Sequence, residues 1–303
     1  MLRRLALALL VACLAGPFPA AAQRIAFSFD DGLDPRVQPQ AARWNRAILD
    51  ALSASRVRAL LLPAGKNVDS PAGLALVRDW GAAGHAIGNH TYAHRNLGSQ
   101  RMSADAFVAD VARADVLLRG MPGWIPVFRY PYLKEGDEAG KRDAVRGWLR
   151  THRYGLAPVS IDTSDWYYAS RFAAWRAAHP GGDVSPWRQA YLDHLWDRAN
   201  YYDALGVRTV GRSVPHVILL HTNAINAAFL ADAIAMFRDR GWTVVDPEVA
   251  LADPVYAAVD TLPAGESVLW ARARAAGDTS LRYPAEDAPH EQARLDAIEL
   301  PPR

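Results

Sequence analysis

Short apolar runs alternate with amphipathic stretches from Arg24 to about Asp246, the pattern of βα units around a parallel sheet. The runs predict strands at Arg24–Phe29, Val57–Leu62, Ala86–Gly88, Pro126–Arg129, Leu156–Ile161, Val217–Leu220 and Thr243–Val245. Helical stripes fall between them. One spans Gln38–Ala54, with Trp44, Ile48, Leu49 and Leu52 on one face; another spans Ser70–Ala83, with Pro71 at a favoured first position. Ser103 caps a helix to Leu118 that turns Phe107, Val111, Val116 and Leu117 inward. A fourth runs Ala224–Arg240 and stops at Gly241.

Two regions leave this rhythm. Residues 167–214 form a long insertion rich in Trp and Tyr, in which Tyr191, Leu195, Trp196 and Ala199 have the spacing of a buried helix stripe. Only Trp166 to Tyr168 are expected to face solvent and substrate. The tail, 247–303, carries no strand pattern and predicts two short helices, Ser267–Ala276 and Glu286–Ile298, on the outside of the fold. With no repeat and no linker, 23–303 reads as a single domain.

Composition refines this. Half of the 303 residues are hydrophobic, enough for a sizeable core. Arg3 and Arg4, the apolar Leu5–Leu14, the break at Gly16-Pro17 and Ala20-Ala21-Ala22 predict an export signal over residues 1–22. Its apolar part is too short to span a bilayer. A competing reading takes Leu10-Val11-Ala12-Cys13 as a lipobox with Cys13 acylated. Cys13 is the only cysteine, so the exported chain has neither disulfide nor thiol chemistry. Thirty-four basic against 32 acidic residues leave +2, which the loss of Arg3 and Arg4 cancels; without a basic run, nucleic acid is not an expected partner. The expectation is a periplasmic or secreted monomer.

The ionisable residues worth naming follow the ends of different apolar runs: Asp30-Asp31, His90, Arg129, Asp162 with Asp165, and His221. In a parallel barrel these ends converge on one face, so the residues would share a cleft. Two adjacent carboxylates are costly unless a cation or an arginine stands nearby. His90-Thr91-Tyr92-Ala93-His94 has the spacing that puts both rings on one side of a helical turn, and one carboxylate would complete a three-ligand metal site with an open position. Alone, Asp-Asp-Gly is as well read as a solvated turn, and the histidine pair as structural. Together they favour a metal. His85 lies at the opposite end of its strand and is not an expected ligand.

Five segments, Ser28-Phe29-Asp30-Asp31-Gly32, His90-Thr91-Tyr92-Ala93-His94, Arg129-Tyr130-Pro131-Tyr132, Asp162-Thr163-Ser164-Asp165-Trp166 and Leu219-Leu220-His221, occur in an order that resembles the polysaccharide deacetylase family, the NodB-homology or carbohydrate esterase family 4 group. Ser28 stands where that family usually has Thr, and the insertion separates the last two segments. The resemblance implies an α/β fold, a distorted (β/α)7-type barrel. It implies that Asp31, His90 and His94 hold a divalent metal, zinc with cobalt as a possible substitute, and that Asp30 is the general base; the residues alone do not say which Asp does which. Arg129 would orient Asp30, the backbone N–H of Tyr132 would hold an oxyanion, and His221 would protonate the leaving group with Asp165 favouring its imidazolium. Trp166 and Tyr132 would wall the groove against a sugar ring. The implied activity is N-deacetylation of an acetylated polysaccharide or oligosaccharide. An O-acetyl esterase on acetylated xylan-type glycan and a non-catalytic glycan-binding protein are the alternatives.

Overall fold

The computed structural model describes residues 23–282 and 289–299; the expected export signal and Cys13 lie outside the described residues. In chain order come β1 (Arg24–Asp31), α1 (Ala41–Ala54), β2 (Leu60–Pro63), the single turn α2 (Gly65–Val68) and α3 (Pro71–Ala82). Next are β3 (Ala86–Asn89), α4 (Ala104–Leu118), β4 (Trp124–Phe128), β5 (Lys134–Gly136) and α5 (Ala139–Thr151). The dipeptide strands β6 (Gly155–Leu156) and β7 (Ile161–Asp162) precede the insertion helices α6 (Asp165–Ala178) and α7 (Ser185–Val210). Then follow β8 (Pro215–His221), α8 (Ala224–Asp239), β9 (Thr243–Val244) and α9 (Pro247–Leu251). The tail adds β10 (Ala264–Gly265), α10 (Val268–Ala275) and α11 (Pro289–Glu299).

The main sheet is parallel, in the order β6-β4-β3-β2-β1-β8-β7, with β9 also pairing β1. β1 occupies its middle, which explains its nearly continuous apolar run: positions 25–30 are buried. One expected strand, Leu156–Ile161, is instead two, and they sit on opposite edges. The chain between them can span only about 17 Å, so the sheet must curl into an incomplete barrel. Ala157 N–H donates to Phe128 O at 2.8 Å and Ser160 N–H to Val217 O at 3.1 Å, so this connector bridges both edges. Regular pairing across 157–160 is lost because these residues serve two edges at once.

Helices cover the outer face. Phe29 packs on Trp80 of α3 at 5.3 Å between ring centroids, and Phe27 on Phe237 of α8 at 6.1 Å. In α4 the inward stripe is Phe107, Val111, Ala114 and Leu118; Val116, expected inside, is 85% exposed because it lies two positions off that stripe. The α7 stripe buries Trp187, Tyr191, Leu195, Ala199 and Tyr202. Tyr168, expected to face substrate, is buried instead: its hydroxyl donates to Glu291 of α11, and its ring stacks on His194 at 4.2 Å. The tail also departs from its strandless pattern. β10 pairs antiparallel with β5, two short segments whose apolar content is too low to read in a window.

β1 ends in two left-handed residues, Asp31 at φ +76° and Gly32 at φ +71°. A Cβ at Gly32 would stand 2.7 Å from Val68 Cγ1, so the turn needs glycine both for its angle and for its space.

Candidate active site

All the main strands run the same way, so their C-terminal ends share one rim. Pairing puts Asp30 opposite His221 across β1 and β8, and Asp162 opposite Leu219 across β7 and β8. A cleft of about 540 Å³ opens on this rim. Asp30, Asp31, His90, His94, Tyr132, Trp166 and His221 line it. Arg129 and Asp165 do not; they are buried behind the wall, and their side chains meet the cleft residues Asp30 and His221.

One oxygen, one nitrogen and one nitrogen from Asp31, His90 and His94 lie within 4.8 Å of one another. His94 Nε2 is 3.2 Å and His90 Nε2 is 3.9 Å from Asp31 Oδ1. His90 Nδ1 stands 2.8 Å from the carbonyl oxygen of Arg129, which can only accept, so Nδ1 carries a proton and Nε2 is the ring nitrogen turned to the cleft. Burial, with His90 alongside, pushes the His94 imidazole down to about 4 against the pull of Asp31, so it is neutral at pH 7. Burial alone would raise the Asp31 carboxyl, but the charge of His221 above all holds it below the ordinary value. Asp31 Oδ1 is buried without a hydrogen-bond donor. An orphaned carboxylate oxygen facing two imidazoles fits a divalent cation of the zinc type.

The two histidines do not meet across a helical turn as their spacing suggests. Residues 90–94 form a loop in which Thr91 and His94 adopt φ of +63° and +52°. Asn89 Oδ1 accepts from Thr91 N–H at 2.9 Å, Asp110 Oδ2 from Ala93 N–H at 2.8 Å and Thr91 Oγ1 from His94 N–H at 3.0 Å. These polar side chains hold the loop in place of helical hydrogen bonds.

On one side of the cluster, Arg129 donates from Nη1 to Asp30 Oδ1 at 2.6 Å, from Nη2 to Ser28 Oγ at 3.0 Å and from Nε to Ala157 O at 2.7 Å. Ser28, polar within the β1 run, is thereby explained. On the other side, Asp165 sits in the first turn of α6 with no exposed surface. Its carboxylate takes His221 Nδ1–H at 2.5 Å, His221 N–H at 2.9 Å, and the amides of Asn223 and Asn226 at 2.8 and 2.6 Å. Burial of His221 works against its charge, but Asp165 first, with the Asp31 and Asp30 charges adding, overcomes it and raises the imidazole to about 10. The folded value stands above the ordinary 6.5, so this pair stabilises fully below that pH and loses its contribution as pH rises toward 10. In metal-free protein, NMR titration is expected to find His221 still protonated at pH 8. Asp165→Asn should lower its pKa by about one unit or more; an unchanged value would refute the pairing.

Sequence reasoning missed part of the wall. Asn96, Leu133, Lys134, Ser164 and Glu266 also line the cleft. Six of the nine non-glycine residues with positive φ among the described residues (Asp31, His94, Tyr132, Leu133, Ser164 and Glu266) are there. Such strain collects where surrounding structure holds a site in shape, and no linear pattern announces it. A second grouping, Ser160 Oγ 3.0 Å from His216 Nδ1 and His216 Nε2 3.2 Å from Asp203 Oδ1, carries no chemistry: Ser160 and His216 are sealed from solvent.

Residues 19–146 match the family described as polysaccharide deacetylase. Over 152 residues the chain is 30% identical to the peptidoglycan-N-acetylglucosamine deacetylase of Bacillus cereus, covering 50% of this chain and 48% of that protein. Over 146 residues it is 27% identical to the chitin deacetylase of Colletotrichum lindemuthianum, covering 47% of this chain and 52% of that protein. The chain thus spans about half the length of the curated relatives it matches. A solved variant of a carbohydrate esterase family 4 pseudoenzyme with restored activity shares the fold with a TM-score of 0.53, at 17% identity, over 76% of this chain and 68% of that one.

Proposed function

From the kinship of this chain with the polysaccharide deacetylases, we propose that it is an exported, zinc-dependent N-deacetylase. It would remove acetyl groups from N-acetylated amino sugars in a glycan and release acetate. The observation that carries this reading is the placement of the Asp31–His90–His94 cluster between a carboxylate held by a buried arginine and an imidazolium held by a buried carboxylate.

Asp31, His90 and His94 would hold the metal, which supplies Lewis acidity toward the acetyl carbonyl and makes water more acidic. Asp30, fixed by Arg129, accepts the proton of the attacking water. The backbone N–H of Tyr132 receives the developing oxyanion. His221, charged by Asp165, gives its proton to the departing amine. Trp166, 49% exposed on the rim, offers an apolar face to a sugar ring. Export rests on the pattern of residues 1–22. Among the described residues, no helix is long and apolar enough to cross a membrane.

The test is acetate release from chitin oligomers, peptidoglycan and acetylated xylan with zinc or cobalt added. Release from the first two supports the proposal. Release from xylan alone moves the assignment to an O-acetyl esterase, and binding without any release moves it to a glycan-binding protein.

A further inference from the structure

The Tyr132 turn is the most strained part of the cleft: Tyr132 and Leu133 are consecutive left-handed residues, at φ +56° and +55°. Bulky side chains do not hold such angles without outside help. The help comes from the far end of the chain. β10 lies against β5, the strand directly after the turn, and Glu266 N–H donates to Leu133 O at 2.9 Å. The Glu266 carboxylate pairs with Lys134, and both side chains line the cleft. Gly265 runs so close that a Cβ there would stand 1.9 Å from Leu133 O.

This segment is fastened on both sides. Arg146 holds Asp260 Oδ1 at 2.7 Å and Val259 O at 2.9 Å, while it also binds Glu135 Oε2 at 2.6 Å. Beyond Glu266, Ser267 Oγ donates to Ser160 O at 2.7 Å, and Val268 N–H to Val159 O at 2.8 Å. The tail therefore spans from α5 to the connector that bridges the sheet edges, and crosses the Tyr132 turn between them. All of it lies beyond the residues 19–146 that match the family.

We propose that Glu266, seated by Gly265, is a positioning residue that sets the Tyr132–Leu133 turn from the C-terminal tail. Building on the deacetylase reading, it acts through Tyr132: the Glu266 N–H holds the turn at Leu133 O and the Glu266 carboxylate holds it at Lys134, while the Tyr132 ring rests on His94 at 4.6 Å between centroids on the other side. A donor that must meet an oxyanion tolerates little displacement, and a misplacement near 1 Å can cost about a hundredfold.

The test compares wild type, Glu266→Ala, Glu266→Gln and Gly265→Ala. Glu266→Ala is expected to lower kcat about tenfold or more, with KM within about twofold and metal content unchanged. Glu266→Gln, still able to accept from Lys134, should recover most of that loss. Gly265→Ala should abolish hydrogen-exchange protection of the Leu133 and Lys134 amides while leaving β1 and β8 protected. A kcat retained in Glu266→Ala, or a loss confined to KM, overturns the proposal. Should the wild type release no acetate from any glycan, the deacetylase reading fails. The positioning role is then decided by exchange alone, and unaltered protection of the Leu133 and Lys134 amides in both Ala variants refutes it.

Discussion

Asp30→Asn is expected to lower kcat by about 10²–10⁴-fold, the range for loss of a positioned general base, while the chain keeps its metal. The two side chains have the same shape, and an amide oxygen still accepts the Arg129 Nη1–H that now meets Asp30 Oδ1 at 2.6 Å. The amide cannot take a proton from water. His94→Ala should instead lose the metal, because it removes one of the two imidazoles that converge on the orphaned Asp31 Oδ1. Metal content after dialysis, measured by mass spectrometry beside kcat on a substrate that releases acetate, separates the two effects. Full turnover in Asp30→Asn would remove Asp30 from the mechanism. Retained metal in His94→Ala would remove the cluster.

The second large effect is on stability. Arg129→Met should cost about 3–5 kcal/mol, the range for breaking a buried ion pair by removing one partner. Arg129 is 1% exposed and Asp30 2%, so the stranded carboxylate keeps little contact with water to replace its partner. Ser28 Oγ and Ala157 O lose a donor at the same time. The Ala157 contact holds the connector that bridges the sheet edges, so the damage reaches beyond the site. Arg129→Lys should rescue little, since one ammonium cannot reproduce a fork that serves three acceptors. The midpoint of urea unfolding is the measurement; a midpoint equal to that of wild type would show the pair to be dispensable.

Much of the fold was legible because it is written locally. Ser103 caps its helix as the sequence suggests, accepting from Ala106 N–H, and Pro71 takes the first position of α3 as expected. The long apolar run of β1 marks a strand buried on both faces, and Asp30, His90, Arg129 and His221 each stand at or just beyond a strand end. Other features escaped. Tyr168 looked like part of a substrate-facing aromatic patch, yet Glu291, more than a hundred residues later, supplies the buried acceptor that draws its hydroxyl inside. Glu266 gave no local sign of belonging to the cleft.

Residue order alone carries the set of chemical groups and their places along the chain, because strand periodicity and the residues that end strands are properties of a short window. How these groups come to meet is settled by folding. The curl of the sheet made one expected strand into two edges, the loop at 90–94 brought His90 and His94 together without a helix, and the tail crossed back to the Tyr132 turn. Each depends on hydrogen bonds and close contacts between distant segments, whose energies no local window of residues contains.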